Sequence, residues 1–218
     1  MAGGGESGEA VAARSRRDLV LALCHEMGNL LAAVRLEAGL FDPRSGAAEL
    51  NAAAERISEL SARTGSLLAL VRPLLEPDAV AVLPSDPLDV LDGLRSGLDE
   101  SCDTRVAIQL KSAARLSGVA IAPEVVHNLL LVAIFAGLEA SDSAAGVRVS
   151  AEAASGCVVF LVEDEGSYRS SDRSPELRGR PLAHEISRVL LAGLGGRFEV
   201  SRSDGRTRVS FAFPIARG

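Results

Sequence analysis

The 218-residue sequence contains no tryptophan, and aromatic residues make up only 3% of it. A core of that composition is rich in Leu, Val and Ala, as helix bundles often are, and a hydrophobic content of 47% suffices for one large or two small domains. An excess of positive charge is also missing. The 23 Lys and Arg stand against 29 Asp and Glu, and a net charge of −6 argues against a nucleic-acid surface. Cysteine is scarce: Cys24, Cys102 and Cys157 are an odd number without metal-ligand spacing, and Cys24 reads as a small helix-packing residue. No apolar run approaches the ~18 residues that a membrane span needs. The opening residues, MAGGGESGEAVAARSRR, lack the apolar middle of a signal peptide. The expectation is a soluble, cytoplasmic chain with no metal site, binding neither membrane nor nucleic acid.

What is present begins with a helix. Residues 1–8 are Gly-rich and expected to be disordered. From residue 9 to 41 the pattern is helical, with apolar residues at Val20, Leu23, Met27, Leu30, Val34, Ala38 and Phe41 in steps of three and four. The breakers Asp42, Pro43, Ser45 and Gly46 end it. Leu50, Ala53, Ile57, Leu60, Thr64, Leu67, Val71 and Leu74 then form a heptad seam that runs to Pro73 and Pro77. Two long helices joined by a short turn make an antiparallel hairpin. One hairpin cannot cover both seams and their flanks, so a second copy and a dimeric four-helix bundle are expected.

Beyond Pro77 the pattern changes. Residues 88–98 read as a short amphipathic helix, 105–110 as a strand, and 119–121 as another short strand. Residues 123–140 form a strongly apolar helix opened by Pro123. Residues 147–152 and 158–162 read as paired strands. An acidic stretch, Glu163, Asp164 and Glu165, reads as a solvated turn at the head of a polar loop. Residues 182–194 are helical up to the stop signal Gly195 and Gly196. Residues 198–201 and 207–214 close as a hairpin around Ser203, Asp204 and Gly205. Helices alternating with strands, then a terminal hairpin, predict a mixed sheet covered on one face by helices.

The candidate chemistry sits on the first helix. At ~100° per residue His25 points away from the apolar seam, Asn29 lies one turn on along the same outer face, and Glu26 flanks them. An exposed imidazole is a nucleophile suited to phosphoryl transfer, a neighbouring carboxylate can hold its tautomer or take a proton, and an amide can position water. An exposed His on a helix is also an ordinary solvated residue. Two other histidines have blander readings: His184 as a helix-surface residue, and His127 as a semi-buried, hydrogen-bonded one.

His25, Glu26 and Asn29 resemble the phosphoacceptor box His-Glu-x-x-Thr/Asn of bacterial two-component histidine kinases. The Pro that usually follows in that family is Leu30 here, which implies a straighter helix. The second half resembles the family's ATP-binding α/β sandwich, shared with gyrase-type ATPases. Asn128 to Ala133, NLLLVA, matches Asn-Leu-Leu-x-Asn-Ala, with Val132 in place of the Asn that helps hold magnesium and phosphates. Asp164 and Gly166 match the adenine-recognition box Asp-x-Gly-x-Gly, with Tyr168 in place of its second Gly. Gly179 and Leu182 match Gly-x-Gly-Leu-Gly-Leu, with Pro181 and Ala183 replacing glycines. The ending Gly195, Gly196, Arg197, Phe198, Glu199, Val200 also fits.

The resemblance spans residues 14–215. It implies an α+β chain: a dimerisation and phosphoacceptor hairpin at 9–77 forming a dimeric four-helix bundle, then a degenerate kinase ATP-binding-like sandwich at 78–218. Framework residues survive and nucleotide-chemistry residues do not. ATP-driven autokinase activity is therefore not expected, and no cofactor is expected at the degenerate positions Asn128, Val132, Asp164, Gly166, Gly179 and Pro181. What remains looks like a bacterial histidine phosphotransferase built on a degraded kinase scaffold. Its catalytic residues are His25, Glu26 and Asn29; its implied partners are a second copy, response-regulator receiver domains and an upstream hybrid histidine kinase. Two alternatives stay open, a non-catalytic dimeric pseudokinase scaffold and an atypical ATP-dependent kinase.

Overall fold

The computed structural model describes residues 8–40, 46–80, 85–98, 105–110, 118–140, 146–154, 156–165, 179–203 and 205–216. Gly166 and Tyr168 of the adenine-type box lie outside them, as do residues 1–7 of the stretch 1–8 expected to be disordered; Gly8, the last of that stretch, instead opens the first helix. Helix α1 runs Gly8–Gly39 and α2 runs Ala47–Ala69. They are antiparallel, since Glu26 pairs with Arg63 and Glu37 with Arg56. The expected second helix stops early, with a short α3 at Val71–Leu75 following Leu70. Pro73 is the reason: it has no N–H for the carbonyl of Ala69, and its ring crowds that carbonyl. A 3₁₀ turn at Pro77–Ala79 then leads away from the hairpin.

Helix α4, Pro87–Gly97, is started by Asp86, whose carboxylate accepts from the Leu88 N–H at 2.8 Å, with Pro87 at the first helical position. Strand β1 is Val106–Leu110, α5 is Pro123–Ala140, β2 is Val147–Ala154 and β3 is Cys157–Asp164. Helix α6 spans Gly179–Gly193, and β4, Arg197–Ser203, with β5, Arg206–Pro214, closes the chain as a hairpin. The five strands lie in the order β1-β2-β3-β5-β4; β1 is parallel to β2 and every other pair is antiparallel. Val119 is not the short strand expected. It makes isolated bridges to Ser85 and Ile215 instead.

One face of the sheet supplies the core. Val149, Val162 and Val209 align across β2, β3 and β5, as do Ala151, Phe160 and Phe211, all buried. The alternate face carries charge: Arg148 and Arg208 flank Glu163 across neighbouring strands. Helices α5 and α6 cover the apolar face. Helix α6 ends as its sequence dictates. Gly195 adopts φ 73°, and the Gly196 N–H reaches back to the Leu191 carbonyl at 2.8 Å.

The hairpin does not stand apart from this layer. Leu19, Leu23 and Leu30 of α1, and Leu67, Leu70 and Leu74 at the end of the second arm, are buried in one cluster with α5 and α6. This corrects the premise that the seam needs a second copy along its whole length: its proximal half is covered by the chain's own sandwich. The distal half is different. Val34, Leu50, Ala53 and Ile57 stay half-buried, and Ala38 is exposed.

Among the described residues, two helices, Ser15–Gly39 and Pro123–Ala140, are long and apolar enough to cross a membrane by length and composition, contrary to the expectation that no run comes close. In the second, 67% of the apolar window is buried inside the fold. It packs against both the sheet and the hairpin, and its apolar surround follows from that.

Candidate functional site

His25 and Asn29 are both exposed on the outer face of α1, with Leu21 and Leu36 exposed on the same side. The residue between them does not join them. Glu26 lies about 100° around the helix from His25, on the inner face with Leu19, Leu23 and Leu30, and is only 8% exposed. Its Oε1 accepts from Arg63 Nη2 of α2 at 2.9 Å. The same nitrogen of Arg63 lies 2.9 Å from Glu139 Oε2 at the end of α5. One guanidinium thus ties both arms of the hairpin to the sandwich. The three residues predicted as one constellation are therefore split between two faces, the nucleophile and amide outward, the carboxylate inward.

Hairpin and sandwich meet around a cavity of about 10 Å³, lined in part by Glu26, Arg63, Leu67, Val132, Gly179 and Ala183. Val132 and Gly179 are two positions at which the kinase resemblance puts nucleotide contacts, and here they face the hairpin. A volume of that size holds at most a single water, whereas ligand pockets run to roughly 300 Å³ and more. Asn128 is turned back on its own helix, its Nδ2 donating to the Glu124 carbonyl at 2.7 Å. Pro181 sits inside the first turn of α6, where the missing N–H costs the helix nothing.

Asp164 is the clearest departure from the sequence reading. It is not part of a solvated turn but the last residue of β3, 3% exposed. Arg180 Nη2 donates to its Oδ1 at 2.7 Å, and Arg180 Nη1 lies 3.2 Å from Thr207 Oγ1, with Arg180 itself 4% exposed. The carboxylate that resembles the family's adenine-recognition residue is therefore occupied by the chain's own guanidinium. Gly137 lets α5 lie close against Val147 of β2 and Asp164 of β3. A Cβ there would lie 3.0 Å from Val147 Cγ2 and 3.4 Å from Asp164 Cβ.

The remaining histidines are structural in their surroundings. His184, expected on a helix surface, instead packs its ring 5.6 Å from that of Phe198. Burial, and then Arg180, Arg202 and Arg188, push its pKa down to about 4. His127 lies against Gly93 and Gly97 of α4, and burial lowers its pKa.

Arg63, Glu139 and Arg180 were not singled out from sequence. Arg63 and Glu26 could have been paired by folding the two helical arms antiparallel about the turn. The Arg180–Asp164 pair joins a helix to a strand end, and no periodicity reports that.

The helical hairpin followed by helices on one face of a mixed five-stranded sheet is a histidine-kinase-like fold. The chain is similar to the Acinetobacter baumannii histidine kinase AdeS, with a TM-score of 0.56 and 16% identity over 88% of this chain and 98% of that one. It is similar to histidine kinase ThkA, solved in complex with the response regulator protein TrrA, with a TM-score of 0.57 and 13% identity over 99% of this chain and 68% of that one. Full-length ShkA, solved with AMPPNP, gives 0.56 and 18% over 93% of this chain and 46% of that one. Identities this low carry the fold and not the chemistry. No family profile matches the sequence, and no curated protein matches it.

Proposed function

We propose that this chain is a histidine phosphotransferase of a two-component phosphorelay in the cytoplasm, passing a phosphoryl group between receiver-domain aspartates through His25. The observation that carries the reading is a contrast: His25 and Asn29 are open to solvent, while Asp164 is taken by Arg180 and Val132 and Gly179 face the hairpin. In the forward step a ring nitrogen of neutral His25 attacks the acyl phosphate of a receiver. The P–N bond forms as the P–O bond to the aspartate breaks, leaving a free carboxylate. The other ring nitrogen gives up its proton to a base, a role Glu26 can fill when its carboxylate is free. Transfer to a second receiver reverses these bond changes. Exposed Leu21 and Leu36 flank His25 as receiver contacts. The likeness to ThkA in its complex with a response regulator supports this choice of partner.

A second copy fits the distal half of the hairpin, where the heptad seam is only half-buried in one chain. One observation favours a second reading, a non-catalytic dimeric scaffold: Glu26 is engaged by Arg63 rather than by His25. The test is incubation with phosphorylated receiver proteins and detection of acid-labile phosphate. Labelling of the wild type and its abolition in His25→Ala is the expected result, with the hairpin intact because the side chain is exposed. Equal labelling of His25→Ala sinks the relay and leaves the scaffold. Binding of Mg-ATP by calorimetry with the affinity of a working kinase would instead favour an ATP-dependent enzyme.

A further inference from the structure

The phosphotransferase reading asks Glu26 to serve His25, yet the structure holds its carboxylate elsewhere. Glu26 and Arg63 are both largely buried, with side chains 10% and 16% exposed, and their pairing closes the inner face of α1 against α2. Glu139, by contrast, is 54% exposed and comes from the sandwich. Two carboxylates therefore share one guanidinium nitrogen, one from each side of the joint. A carboxylate in Glu26's position is stable there only while it is paired, because an unpaired buried charge is costly. If Arg63 lets go, the cheapest relief is for Glu26 to swing out to water. On α1 the exposed side nearest residue 26 is the face that carries His25 and Asn29.

We propose that Arg63 is a positioning residue that restrains Glu26 away from His25, and that Glu139 on the sandwich weakens the restraint by competing for the same nitrogen. The sandwich then regulates the phosphoacceptor through a contact rather than through a nucleotide. When Glu139 draws Arg63 toward α5, Glu26 is released to take the His25 proton. When the sandwich shifts away, Arg63 belongs to Glu26 alone and transfer is slowed. This inference rests on the phosphotransferase reading for its kinetic consequence, but not for its structural one.

The two parts are separable by experiment. Carboxylate footprinting with a carbodiimide and glycine ethyl ester, read by mass spectrometry on the full chain, needs no phosphoryl chemistry. Glu26 is expected to be protected in the wild type and in Arg63→Lys, and labelled at least fivefold more in Arg63→Gln. Glu139→Gln should keep Glu26 protected. The rate of His25 labelling at saturating phosphorylated receiver should rise about threefold or more in Arg63→Gln, fall in Glu139→Gln, and return to the wild-type value in Arg63→Lys. The gain should vanish in the double variant Glu26→Gln with Arg63→Gln. If Arg63→Gln leaves Glu26 protected, or slows labelling as much as Glu26→Gln does, the restraint is refuted. If the footprint changes as expected but no variant is ever labelled, the restraint stands and the phosphotransferase reading fails.

Discussion

At the scale of single residues, the chain has buried several charges that a sequence pattern would leave in water. Asp164 and Arg180 are paired at 2.7 Å, each almost wholly buried. Such a pair gains little over apolar packing but is expensive to break from one side, typically about 3–5 kcal/mol. His184 pays for its position in a different way. Its neutral form is favoured in the fold, because burial and three arginines push its pKa from 6.5 down to about 4. The unfolded chain therefore binds the proton more readily. Stability from this group is fully present above pH 6.5 and is lost as pH falls from there toward 4, by up to about 3 kcal/mol. His184→Leu should flatten that part of the dependence. Denaturant melts of the two proteins at pH 7 and pH 5 give the comparison, and equal losses in both would place the sensitivity elsewhere.

At the scale of elements, α5 is the piece that the rest depends on. It packs on the sheet with one side and on the hairpin with another, which is why its apolar residues show no single stripe. Gly137 sets its distance from the sheet. In Gly137→Ala a few tenths of an ångström must be found against Val147 Cγ2, while the helix gains about 1 kcal/mol of propensity, so stability should change by less than about 1 kcal/mol. Gly137→Leu cannot be placed without moving β2 or Asp164, and should cost about 1–3 kcal/mol by overpacking. Urea denaturation of both variants distinguishes these cases. A neutral Gly137→Leu would mean that α5 is free to move away from the sheet.

At the scale of the whole molecule, the two halves of the hairpin have different surroundings and should respond differently to charge. Leu67 is buried in the joint with the sandwich, whereas Ile57 is half-buried on the distal seam. Leu67→Asp should unfold the joint. Ile57→Asp should leave the fold intact and convert a dimer to a monomer, because the distal seam is what a second copy would cover. Sedimentation at micromolar concentration, with circular dichroism as the control, reads both. A wild-type chain that sediments as a monomer would remove the second copy from the picture and leave the distal half for a different partner.

Much was legible in the sequence because it depends on neighbours along the chain. The long helices, their antiparallel pairing, the apolar α5, the stop at Gly195 and the terminal hairpin are all written in periodicities and breakers, and the exposure of His25 and Asn29 follows from the face they occupy. Strand ends were misjudged where polar residues stay within the ladder, as Asp164 does. What only the tertiary structure decided is where the long-range charges go. Glu26 sits beside His25 in sequence, but the side of α1 it faces is closed by α2 and the sandwich, so its carboxylate belongs to Arg63. Asp164 belongs to Arg180 because a helix start and a strand end meet there. Local pattern fixes which face a side chain points to, and packing fixes what that face meets.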